Sequence, residues 1–211
     1  MRINAPSRAG RTGALAAGIG ALALTAAACG SSAPAASGAS STHHPMASHS
    51  AAASAAFGSN CGMVPATGMG SLHGMMTDPV VTAASHNPLL TTLAADVKAA
   101  GLTTELNSMG SITVFAPANT AFSKLPHSTA MSMMHNPKEL AKVLKYHVVS
   151  GHITTARLAS GKPLTTLEGS TLKPSKMGAV YEVNNAGIIC GNIHTANATV
   201  YIINKVLTPM H

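Results

Sequence analysis

The first 29 residues decide in which compartment this chain folds, and so what chemistry its fold can use. Arg2, Arg8 and Arg11 are followed by an apolar, Gly- and Ala-rich run from Thr12 to Ala28, and then by Cys29. A basic segment, a short apolar segment and small residues, in that order, make a bacterial secretory leader. The apolar run falls short of the roughly 20 residues that a membrane span needs. The sequence therefore predicts a signal peptide over 1–28 and a mature protein that folds outside the cytoplasm, where disulfides persist.

Cys29 directly follows Ala26, Ala27 and Ala28, an arrangement that resembles the lipobox of bacterial lipoproteins. In a lipobox the cysteine is acylated and becomes the new N-terminus. Lipoboxes usually carry Leu three residues before the cysteine, where this chain has Ala26. The same alanines suit ordinary signal peptidase, so plain secretion is the alternative to an anchor in the cell membrane. Three cysteines in an exported chain leave one over after pairing. With Cys29 as the lipid acceptor, Cys61 and Cys190 are left to bridge; the alternative is two buried, unpaired thiols. Such a bridge would close a loop worth about 4–5 kcal/mol in the chain-entropy account.

Composition divides the rest of the chain. Residues 29–56 are Ala, Ser, Gly, Pro, Thr and His with almost no large apolar side chain, too little to offset chain entropy on folding. They are expected to be a disordered tether. Residues 57–77, which carry Cys61 and many Gly and Met, form an N-terminal extension, and the globular domain is expected over 78–211. With the leader arginines set aside, ten Lys+Arg face six Asp+Glu with no basic cluster, and the chain has no Trp. A nucleic-acid surface needs a basic stripe with aromatic side chains for stacking, so that class is excluded.

Three helices are readable in the domain. Asn87-Pro88 reads as a cap and first turn, with Leu89, Leu90, Leu93 and Val97 on one face and Gly101 as the stop. A short helix follows Asn119. The third is capped by Asn136 and opened by Pro137, with Leu140, Val143, Leu144 and His147 on one stripe. Met131, Met133, Met134 and His135 read as a loop. Strands are predicted at 111–116, 148–149, 170–172, 179–183, 188–189 and 199–203, with turn chemistry at Asn184-Asn185-Ala186-Gly187. The last strand is apolar on both faces and is placed centrally. Early helices and late strands make an α+β domain.

Three segments together resemble the fasciclin (FAS1) domain. Thr113–Phe122 is similar to the family's first signature, Leu144–Val149 to its central Tyr-His motif, and Thr199–Leu207 to its second signature. Asn87–Leu93, Asn184–Gly191 and His194–Tyr201 narrow the resemblance to the actinobacterial secreted and lipid-anchored fasciclin antigens first known from mycobacteria. The resemblance implies a seven-stranded β-sandwich-like core with packed helices, and an N-terminal extension held by a disulfide, here Cys61 with Cys190. It also implies an adhesion or extracellular interaction module, with a surface protein or glycan as partner and the membrane reached through a lipid anchor. In animal members the Tyr-His region is implicated in integrin binding, which maps onto Tyr146 and His147. The stripe argues instead for His147 as a buried structural histidine.

Two other readings compete. His43, His44, Met46 and His49 in the tether, followed by Met63, Met69, His73, Met75 and Met76, are ligand types suited to copper, although their spacing fits no fixed motif. The bland alternative is compositional bias in a linker, with no cofactor. An enzyme is not expected: Asp78, Asp96, Glu105, Glu139, Glu168 and Glu182 are dispersed, and no nucleophile or phosphate-loop motif occurs. No catalytic residue is assigned.

Overall fold

The computed structural model describes residues 56–209. Among them a 3-10 turn (Cys61–Met63) precedes helices α1 (Leu72–Met75), α2 (Val80–His86), α3 (Thr91–Ala99) and α4 (Thr103–Ser108). Strand β1 (Ile112–Pro117) leads into α5 (Asn119–Phe122), α6 (His127–His135) and α7 (Pro137–Tyr146). Then come β2 (Val148–Ser150), α8 (Thr155–Ala159), β3 (Leu164–Thr165), β4 (Thr171–Leu172), β5 (Pro174–Met177), β6 (Val180–Val183), β7 (Ala186–His194) and β8 (Ala198–Ile203).

Six strands form one mixed sheet in the order β2-β1-β8-β7-β6-β5, and β3 pairs with β4 apart from it. β8 runs parallel to β1 and antiparallel to β7, which places it near the middle. All six of its residues are buried. Because side chains alternate across a strand, they serve two cores. Ala198, Val200 and Ile202 pack with Val81, Leu93, Val97 and Leu144 on the helical side. Tyr201 and Ile203 pack with Phe115, Leu158, Leu172 and Val183 on the other. The unbroken apolar run of β8 is thus the signature of a strand covered on both faces.

The fold is the expected α+β one; its eight strands among the described residues are the six predicted from the residues together with β3 and β5, against the seven that the resemblance implied. The added β3 and β5 are two and four residues long. Pro174-Ser-Lys-Met177 has no β-branched residue to announce a strand. β7 is longer than the expected 188–189 because register shifts after Ile188 and Cys190 carry the strand past Gly191 and Asn192. Helix α3 starts at Thr91, not at Pro88. Asn87 is fully buried and makes a local turn, its Oδ1 accepting from the Leu89 N–H at 2.9 Å. The cap comes from another element: Asn119 Oδ1 accepts from the Thr92 N–H at 3.0 Å. The Met-rich segment 131–135 belongs to helix α6 and is not a loop. α7 is built as its residues dictate, with Asn136 Oδ1 accepting from the N–H groups of Lys138 and Glu139.

Candidate functional site

His147 sits at the C-terminal cap of α7 and is 2% exposed. Its Nε2 accepts from the Leu207 N–H at 2.9 Å, so Nδ1 carries the proton and donates to the Val143 carbonyl at 2.8 Å. Burial pushes its pKa down from 6.5 to about 4, against the opposing pull of the Val143 bond. The ring is therefore neutral at pH 7 and ties the C-terminal segment to α7. Tyr146 is a second latch. Its ring is buried, and its hydroxyl accepts from Asn184 Nδ2 at 2.8 Å and donates to the Thr171 carbonyl at 3.3 Å. Burial raises its pKa, the Asn184 bond opposing. Asn184 and Asn185 have φ of 47° and 63°, the pair of left-handed residues that a two-residue hairpin turn requires. The Tyr-His pair is thus core structure joining α7 to a hairpin and to the C-terminal segment. It offers no exposed recognition group.

Cys61 and Cys190 form a disulfide across a sequence separation of 129. The extension it fastens also pairs as backbone: Phe57 and Gly191 exchange two hydrogen bonds of 3.1 and 2.7 Å, and the Asn60 N–H reaches the Ile189 carbonyl at 2.9 Å. The Phe57 ring meets Tyr181 edge-on with centroids 5.0 Å apart. Gly191 is required here by close approach. A Cβ at that position would lie 2.6 Å from Tyr201 Cδ1 and 2.8 Å from Phe57 Cζ. Val64 and Met75 of the extension are buried in the helical-side core, Met75 completely. Residues 57–77 are therefore part of the packed body.

The other sequence candidates do not converge. Met63 and Met69 are more than half exposed, while Met75 is fully buried and receives Asn87 Nδ2. Among the described residues no three His, Cys, Asp or Glu side chains are grouped to hold a metal ion. Glu105 pairs with Lys145 at 3.0 Å and Glu168 with Lys142 at 4.0 Å. Asp96, its pKa raised by burial, lines an apolar pocket of about 200 Å³ with no second titratable side chain. Cys29, His43, His44, Met46 and His49 lie outside the described residues. One structural residue has a role that no local sequence pattern announces. Asn197 Oδ1 accepts from the Val80 N–H at 2.8 Å, and its Nδ2 donates to the carbonyls of Leu106 and Met109 at 2.8 and 2.7 Å. It clasps α2, the end of α4 and the start of β8. No helix among the described residues is long and apolar enough to cross a membrane.

The two-faced central strand, the buried Tyr-His latch and the helices ahead of the sheet define a fasciclin domain. The fasciclin-domain profile matches residues 88–209, and the chain belongs to that family. It is 45% identical over 148 residues to "Immunogenic protein MPB70" of Mycobacterium bovis, an overlap of 68% of this chain and 75% of that one. It is 44% identical over 148 residues to "Cell surface glycolipoprotein MPB83" of the same species, covering 66% of that relative. "Protein sll1483" of Synechocystis sp. is 38% identical over 132 residues. Among solved structures, a FAS1 domain pair from the insect cell adhesion molecule Fasciclin I superposes with a TM-score of 0.55 at 15% identity. That match covers 64% of this chain and 52% of the pair, and it speaks to the fold.

Proposed function

We propose that this chain is a cell-surface fasciclin-domain protein, fastened by lipid at Cys29 to the extracytoplasmic face of the membrane. There it serves as an adhesion or extracellular interaction module toward a surface protein or glycan. The observation that carries the reading is the 44% identity to a protein named as a cell-surface glycolipoprotein. The leader-like sequence 1–28 directly before Cys29 and the Cys61–Cys190 disulfide, a bond of oxidising compartments, support it. The recognition surface lies away from Tyr146 and His147, since both are buried.

The test is fractionation of the native host. Wild-type protein is expected in the membrane fraction and accessible to protease added to intact cells, while Cys29→Ala is expected in the medium. Wild-type protein free in the medium would remove the anchor from the account; protein shielded inside intact cells would overturn the surface reading.

A further inference from the structure

We infer that the tip of the β5–β6 hairpin is a lipid-contacting surface that settles on the anionic membrane beneath the domain, an inference that rests on the anchoring proposed above. Lys176, Met177, Gly178, Ala179 and Val180 are consecutive and all exposed. Met177 is 68% exposed and Val180 49%. The two are directly paired in the hairpin register, so their side chains stand together on one face. Turns at a hairpin tip ordinarily carry polar residues, whereas this one reads Met-Gly-Ala-Val and leaves most of Met177 and half of Val180 exposed.

The surroundings of the tip fit a membrane interface. Lys176 adjoins it, and Tyr181 stands behind it with Lys176 Nζ 5.2 Å from its ring centre. Apolar tips enter the boundary between headgroups and acyl chains, tyrosines sit at headgroup level, and lysines meet anionic phosphates. Glu182, opposite Ser175 on the face of Met177 and Val180, lies further from the tip.

The path of the chain favours lipid over another partner. Ala179, Val180 and Tyr181 form one wall of an open groove of about 740 Å³, and Phe57, Gly58 and Ser59 line it too. The segment arriving from Cys29 therefore joins the body beside this tip. An anchor at Cys29, 28 residues before Phe57, therefore brings lipid to the side of the body that carries the tip and raises its effective concentration there.

The chain contains no Trp, so Val180→Trp introduces a sole indole at the tip. Residues 29–211 carrying it are coupled through the Cys29 thiol to a maleimide lipid in mixed phosphatidylcholine–phosphatidylglycerol vesicles. Met177→Trp serves as a second probe, and Met131→Trp on α6 as the control. Both tip probes are expected to shift to the blue and to be quenched several-fold more strongly by brominated acyl chains than the control. Lys176→Glu is expected to weaken the difference between tip and control. Equal quenching of tip and control would overturn the inference, as would a blue shift that follows protein concentration without vesicles and marks a protein contact. Because the coupling is chemical, a failure here is distinct from a failure of acylation in the host.

Discussion

Replacing His147 by Ala removes one imidazole that serves two buried backbone groups. The Leu207 N–H loses its acceptor and the Val143 carbonyl its donor. An unsatisfied buried group costs about 1–3 kcal/mol, and the space left by the ring adds to that. Together they predict a loss of about 3–5 kcal/mol, a large fraction of the 5–15 kcal/mol typical of a domain. The same residue sets a pH dependence. With a folded pKa of about 4 against 6.5 for a free histidine, the unfolded chain binds the proton first. Its contribution is complete above pH 6.5 and is lost as pH falls from 6.5 toward 4, amounting to about 3 kcal/mol. Urea unfolding followed by circular dichroism, on wild type and His147→Ala at neutral and mildly acidic pH, measures both effects. Carboxylates titrate in both proteins, so the difference between them isolates the histidine. The stability gap is expected to narrow as pH falls. An unchanged midpoint at neutral pH, or parallel pH profiles, would refute the reasoning, and a fully stable variant that lost partner binding would restore a recognition role.

Two further perturbations test the core. Reducing the Cys61–Cys190 bond, or replacing both cysteines by Ser, is expected to lower stability by about 4–5 kcal/mol, from the entropy of a loop with separation 129. A change in urea midpoint worth less than about 1 kcal/mol would show that the extension's backbone pairing suffices without the bond. Asn197→Ala should cost about 2–4 kcal/mol, because it strands the Val80 N–H and the Leu106 and Met109 carbonyls. A variant melting with wild type would show that water replaces the clasp.

Much of this architecture was legible from residue order, for reasons that differ by element. α7 combines a cap, a proline at its first position and a full apolar stripe, and local physics alone places it. β8 carries the apolar run Val200-Tyr201-Ile202-Ile203 because both its faces are covered, so its central position is written in its own residues. The start of α3 was misplaced because Asn87 is spent on a turn and on the Gly70 carbonyl, while the cap comes from Asn119, 27 residues after the helix position it serves. No local pattern announces such a long-range cap. α6 was missed because its methionines and histidines imitate the composition of the tether. The burial of His147 followed from its place on the stripe, but its bond to Leu207 depends on a segment 60 residues away. The exposed hairpin tip was hidden because β5 lacks strand-forming residues.

The most direct test of a surface-anchored module is the intact mass of the protein purified unreduced from its native host membranes. A chain beginning at Cys29 and carrying a diacylglyceryl-type addition there, with Cys61 and Cys190 oxidised, is the predicted result. An unmodified N-terminus at Cys29 or beyond would contradict it, and would leave a fasciclin domain that acts without an anchor.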